Sequence, residues 1–436
     1  MSCGPASHGH APTSNPSWWN VLASEGFRLF FPLSAIYVVL WPLLWVLAFD
    51  FDLPLAQDVP PQLWHAHEML VGAFGAALIG FLTTAAPEWT DTEPLRGRKL
   101  WGIAALWATG RFVGLLGWDT LALLGALADF SWQALLICYL LQLSWRQRTD
   151  RLIAFAGWLA ILLGCVSATQ MGFFTGDTDL ATKSTHLAGF AYLGLLGLAL
   201  GRITVPVTNL ILDPSEETSP FRPHPGRLNL APGLVLVAIA GDIVGLSPAV
   251  SGFLLVAAGA AFMDRVAEAF IGRAVFQSEI LMLAGASAFA GIGLILTGCY
   301  RLGAPWAEST GLHAAFVGGL GLGVYAVFCI AGKLHTGNTL GQSLTVRLGA
   351  LALVLSALAR IAPDFGFELP GPFHGVAVSL WSLAFLLWFF DFWPSLSRLE
   401  NPVALPAISP PKEGRELASE ASHEPNNHSL RSAGGE

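Results

Sequence analysis

The chain has 436 residues, 12% of them charged and 54% hydrophobic, with a formal net charge of −8 and a mean hydropathy of +0.58. A soluble domain carries about 25% charged residues, so this chain has roughly half the charge needed to cover a folded surface in water. With 47 Gly, 16 Trp and 28 Phe, the composition excludes an ordinary soluble enzyme, a coiled coil, a disordered protein and, by sign, a nucleic-acid binder.

The chain opens on a polar head, residues 1–27, which reads as a disordered segment with no cleavable signal peptide. Twelve apolar runs follow, each near the roughly 20 residues that cross a hydrocarbon core. The first six lie at 29–49, 64–86, 99–117, 120–143, 152–173 and 184–203. A polar loop, 204–228, separates them from six more at 229–246, 249–271, 279–300, 311–332, 345–362 and 373–393. The tail from 397 to 436 is rich in Pro, Ser, Glu and Asn and also reads as disordered. The predicted fold class is therefore all-α: a polytopic membrane helix bundle over 28–396 with twelve transmembrane helices in a six-plus-six layout.

The basic residues orient the bundle. With twelve spans, eighteen of the 22 Lys and Arg fall on the side that holds both termini. Lys183, Arg301 and Arg360 fall on the other side, and Arg111 sits within a span. The positive-inside rule makes the crowded side cytoplasmic, with both termini on it.

The eleven His follow a different pattern. His8, His10, His423 and His428 lie in the tails and His224 in the central loop. His65, His67, His186, His313 and His374 each open a span that starts on the non-cytoplasmic side, and His335 alone ends one on the cytoplasmic side. Imidazoles converging on one membrane face suit a haem iron or copper site; the plain alternative is His tolerated in the headgroup layer. Within Trp64-His65-Ala66-His67-Glu68-Met69, His65 and His67 point about 200° apart on a regular helix. Either that helix start is irregular, or the two histidines serve different centres or orient one another. Glu68 is a candidate to bind metal, hold a His tautomer or carry a proton, or else a first-turn acid.

Arg111 and Asp129 come at nearly the same depth on neighbouring antiparallel spans, which predicts an intramembrane ion pair, first of all a structural clamp. Asp242 has no evident partner in the sequence and is the better candidate for a conduit. The five Cys form no CxxC, which excludes a zinc ribbon or disulfide framework. Four of them lie in apolar spans, where reduced Cys behaves as a small hydrophobe. The runs Gly72-Ala73-Phe74-Gly75-Ala76 and Gly318-Gly319-Leu320-Gly321 read as helix-packing surfaces.

The stretch Trp64-His65-Ala66-His67-Glu68-Met69-Leu70, with Gly80-Phe81-Leu82-Thr83-Thr84-Ala85 and Trp89-Thr90, resembles the NnrS family. Gly26-Phe27-Arg28-Leu29-Phe30-Phe31, Gly201-Arg202 with Pro206, His313-Ala314 and Leu334-His335-Thr336-Gly337 extend the resemblance from about residue 26 to 395. The chain departs from the family pattern at Lys333 and Asn338, around the last of these motifs. The resemblance implies a twelve-span bacterial inner-membrane protein that contains haem and copper and acts in nitric oxide metabolism, nitrosative stress or denitrification. Residue by residue it carries over His65, His67, Glu68, His186, Arg202, His313 and His335. The implied ligand set is His65, His67, His186 and His313, with Glu68 adjacent as the catalytic candidate, Arg202 as a cofactor contact and His335 as a further metal candidate. His374 joins as a reserve ligand on the topology argument alone. The implied cofactors are haem b and copper, near the periplasmic face. The implied partners are the lipid bilayer, a small gas such as nitric oxide or a metal–nitrosyl species, and a quinol or periplasmic electron donor. Two other readings stay open: a transporter of a small solute or metal, and a quinol-linked reductase or oxidase subunit.

Overall fold

A computed structural model describes residues 18–398 apart from 54, 57, 118, 225, 368 and 371–373. The predicted disordered tail from 399 on and the head up to residue 17, with the four tail histidines, lie outside the described residues. Residues 18–27, expected to belong to the disordered head, are ordered instead. Trp18–Leu22 forms a short helix α1; Trp19 packs edge-on against Trp101, and Phe27 is completely buried. Aromatic anchoring at an interface explains the early start.

Every predicted span coincides with a helix. α2 runs Gly26–Leu47. The second span is α3 (Pro61–His67), a π-helical turn over Glu68–Phe74 and α4 (Gly75–Thr90). α5 (Arg98–Leu115), α6 (Ala122–Gln147), α7 (Ile153–Thr175) and α8 (Thr178–Leu212) complete the first six. α9 (Arg227–Ile243), α10 (Pro248–Val266) and α11 (Ser278–Arg301) follow the central loop. The tenth span is α12 (Glu308–His313), a second π turn over Ala314–Gly321 and α13 (Leu322–Leu334), before α14 (Leu344–Ile361) and α15 (Gly375–Leu396). No strand occurs among the described residues.

Ten of these helical segments are long and apolar enough to cross a membrane. The other two are α5, 18 residues long and carrying Arg98, Lys99 and Arg111, and α9, 17 residues long. The eighth span ends earlier than its predicted boundary at 271, because the chain leaves α10 at Val266 into 3-10 turns that carry Glu268 and Arg273.

The bundle buries its polar groups within an apolar interior and is apolar outside. On α6, Asp129, Trp132, Gln133, Leu136 and Leu140 are buried at helical spacing, while Leu123, Leu124, Leu127 and Phe130 on the other face are exposed. Helices in lipid gain little from burying apolar side chains against each other, so close backbone approach and internal polar contacts hold them. α10 and α11 show this: a Cβ on Gly259 would stand 2.6 Å from the Gly291 carbonyl oxygen, and one on Gly298 would stand 2.6 Å from that of Gly252. α15 returns against α2, where Trp381 Nε1 donates to the Val38 carbonyl over 2.8 Å.

The two ends of the bundle differ in chemistry. At one end Arg28 Nη1 donates to the carbonyls of Ser395, Leu396 and Arg398, meeting the C-terminal dipole of α15. His335, Arg151 and the Arg227–Asp264 pair share this end. The opposite end, called the His65 end below, gathers the starts of α3, α12 and α15 with the exit of α14.

Candidate functional site

His65 and His67 leave α3 in opposite directions, and each enters a different environment. The His65 ring stacks on Trp45 at 4.6 Å and on Trp41 at 6.4 Å. Its Nδ1 is buried with no hydrogen-bond partner among the described residues. His67 turns into the bundle beneath Trp64, whose ring lies stacked 5.1 Å away. Of the alternatives open from sequence, separate surroundings is the one observed.

Around His67 the side chains form a buried ion network drawn from five helical segments. Its Nδ1 meets Glu68 Oε1 at 3.1 Å, and Gln170 Nε2 on α7 donates to its Nε2 over 2.9 Å. That pairing puts the ring proton on Nδ1 and occupies both nitrogens. Glu68 Oε2 also accepts from the Tyr37 hydroxyl on α2 and pairs with Arg111 Nε at 2.8 Å. Arg111 Nη2 then reaches Asp129 Oδ2 at 2.7 Å, the ion pair predicted from matching depths. Asp129 lies 3.7 Å from His67 Nε2 and accepts from Trp132 Nε1 at 3.3 Å. All of Tyr37, His67, Glu68, Arg111 and Asp129 are buried. Two carboxyl groups share one guanidinium, and Tyr37, His67 and Trp132 bond to them as well. Arg111 is thus a bridge between two acids, more than the two-residue clamp read from sequence.

Packing forces this register. A Cβ on Gly72 would fall 2.5 Å from the Tyr37 ring, and one on Gly110 would fall 2.8 Å from Asp129 Oδ1. The π turn over Glu68–Phe74 begins directly after His67, and the second π turn begins directly after His313. A π turn widens a helix by one residue and recurs at functional sites. The second covers the run Gly318–Gly321 read from sequence as a packing surface, and the first covers Gly72–Phe74 of the other, whose Gly75 and Ala76 open α4.

His313 is fixed by its Nδ1, which donates to the Ser309 carbonyl over 2.6 Å and leaves Nε2 as the donor atom for a metal. His313, His65 and His374 lie within electrostatic reach of one another and of Arg360 at the exit of α14. His374, the residue before α15, has left-handed backbone at φ 53°, and burial holds its imidazole down to about 4.

The remaining candidates lie elsewhere. His186 Nδ1 faces Glu308 at 3.7 Å, beside Arg301. Arg301 Nη1 binds Asp242 at 2.8 Å, so Asp242, unpartnered in the sequence reading, is held as a salt bridge and loses its standing as a conduit. His335 is at the opposite end, 3.9 Å from Glu25 and 3.7 Å from Glu88. Arg202 is exposed on α8 and is not brought to any of these histidines. Cys138, Cys165, Cys299 and Cys329 are free. Among the described residues no three His, Cys, Asp or Glu side chains converge closely enough to hold one ion as they stand.

Sequence reasoning missed Tyr37, Gln170 and Arg360. Tyr37 and Gln170 are isolated polar residues inside apolar spans, a signal that was available. Arg360 was visible as one of three exceptions to the charge bias.

Fold and site together define a multi-pass helical membrane protein that carries a buried ionic network inside its bundle. A model of the NnrS protein family matches residues 21–399, and the chain belongs to that family. Membership links it in general terms to nitric oxide. No curated protein and no solved structure matches it.

Proposed function

We propose that this protein is a twelve-span bacterial inner-membrane protein with both termini cytoplasmic. In this reading it holds haem b and copper at the His65 end, on the periplasmic side, and acts on nitric oxide by binding, reduction or protection. The observation that carries the reading is the gathering of His65, His313 and His374, from three distant segments, at one end of the bundle. The donor chemistry fits: imidazole suits both iron and copper. The Nδ1 of His65 is buried without a partner among the described residues, and His313 is anchored so that Nε2 is left over. His65 and His313 are the first ligand candidates, with His374 beside them. Their side chains must turn toward one point to share an ion.

A bound iron or copper with an open position supplies an attachment point for a small neutral gas and a route for electrons. The residues beneath supply the rest. Trp41, Trp45 and Trp64 line the His65–His67 stretch with aromatic rings and exclude water. Glu68 accepts from His67 Nδ1 over 3.1 Å, and Gln170 fixes that tautomer. With both nitrogens occupied, His67 acts here as a proton holder. His186 forms a separate cluster with Glu308, Arg301 and Asp242, while Arg202 and His335 stand apart from the metal donors in this reading.

Optical spectra of the detergent-purified protein, with and without dithionite and nitric oxide, test it. A Soret band that shifts on adding nitric oxide is expected, and it should weaken in His65→Ala and His313→Ala. Fully loaded protein without a Soret band would sink the haem reading and favour a transporter.

A further inference from the structure

Between α4, α7, α8 and the tenth span the bundle leaves a cavity of about 60 Å³. Its walls include Phe74, Phe81, Phe155, Leu196, Val324 and Phe328. Two features of the chain keep the space open. Gly323, also on the wall, has no side chain to fill it: a Cβ there would fall 2.5 Å from Leu196 Cδ1 and push that side chain aside. Phe74 and Leu320, on the same wall, belong to the two π turns, where the helix is widened by a residue.

Polarity and volume together select an occupant. A buried water needs two to four polar partners. Among the described residues of the wall only Tyr192 has a polar side chain, and its hydroxyl is buried with no hydrogen-bond partner. One donor does not hold a water, so the cavity is dry. An apolar cavity of about 150 Å³ takes benzene or xenon. At less than half that size, this one is too small for an aromatic ring or a lipid chain and has room for a molecule of two heavy atoms.

The cavity also reaches the outer wall of the bundle, because Phe81, Val324 and Val327 are only half-buried. Val324 lies ten residues before the end of α13, roughly 15 Å along the helix and about half of a 30 Å hydrocarbon core. Apolar solutes leave water for such surroundings. On the inner side, Phe74 and Leu320 each come seven residues after a histidine, His67 and His313, roughly 10 Å along the helix.

We propose that this cavity is a docking site for a small neutral diatomic gas that enters from the bilayer. Dispersion contacts alone hold the gas, and the size of the cavity excludes larger apolar solutes. That the gas is nitric oxide bound for a metal rests on the function proposed above, whereas the docking site itself stands without a metal.

The test uses the full chain in detergent, stripped of metal, with xenon as the probe. The xenon-129 resonance should move with protein concentration beyond the shift given by matched empty micelles. Ala77→Leu and Ala199→Leu fill the cavity from two different helices, and each should abolish that protein-dependent shift. Leu196→Ala enlarges it and should increase the shift. Equal shifts for wild type and both filled variants would overturn the site. So would a wild type that shows no shift while Leu196→Ala shows one, since the native space would then be too small or taken by a detergent chain. In haem-loaded protein the two filled variants should slow association of nitric oxide with the metal. Unchanged rates beside a lost xenon shift would overturn the passage of the gas to the metal. Absence of haem and copper would sink the functional reading and leave the xenon result to stand by itself.

Discussion

Arg111 stands between Glu68 and Asp129, and each of those carboxylates is buried. Removing the guanidinium leaves two uncompensated acids within the bundle, which costs about 3–5 kcal/mol for a broken buried pair. Arg111→Met should therefore lower the unfolding midpoint in detergent sharply. The triple change Glu68→Gln, Arg111→Met, Asp129→Asn should recover much of that loss. A triple variant less stable than the single one would contradict the bridge. At the other end, burial and then the Arg28 charge hold the His335 imidazole at about 4, below its ordinary 6.5, despite the carboxylates of Glu25 and Glu88. The unfolded chain takes up that proton first, so His335 makes the fold less stable as pH falls from about 6.5 to about 4. Glu25, whose carboxyl burial raises, has the opposite slope. Comparing wild type with His335→Gln isolates the histidine: the variant should lose less stability across that window, and parallel pH curves would refute its neutral burial.

At the scale of elements, backbone contact through glycine decides which helices touch. Gly259 and Gly291 face each other so closely that a Cβ on either meets the other's carbonyl oxygen, at 2.6 and 2.7 Å. The contact is with backbone, which cannot swing aside. Gly259→Ala and Gly291→Ala should each cost about 1–3 kcal/mol, the range for overpacking. Gly102→Ala is the matched control, because a Cβ there meets nothing within 4 Å. Equal melting temperatures for all three variants would show that α10 and α11 have room to part. The two π turns belong to the same scale. Each lies in a glycine-bearing run directly after a histidine, so the widened turn fixes how that histidine is aimed relative to the rest of its span.

For the whole molecule, α5 and α9 decide the topology. Both are helices where spans were expected, yet neither is among the ten long and apolar enough to cross a membrane. α5 is penalised by Arg98, Lys99 and Arg111, but Arg111 is neutralised by Asp129, a partner that a hydropathy window cannot see. If both helices cross, single cysteines introduced at Asp119 and at Ser247 should label from outside the cell, while one at Glu217 in the central loop should label only after permeabilisation. A cysteine at Asp119 that labels only after permeabilisation, with those at Glu217 and Ser247 both labelling from outside, would remove α5 and α9 from the membrane.

The sequence by itself determined the all-helical membrane class and where the helical segments run. Both depend on local composition and span length, which a bilayer converts directly into structure. It also foresaw Arg111 with Asp129, because a short turn forces neighbouring spans to bring equal depths together. The tertiary structure alone decided the rest. Tyr37, Glu68 and Gln170 meet around His67, Arg301 claims Asp242, and His65, His313 and His374 come within electrostatic reach of Arg360. Those partners come from helices far apart in the chain, and which helices become neighbours depends on side-chain fit and backbone approach across the bundle.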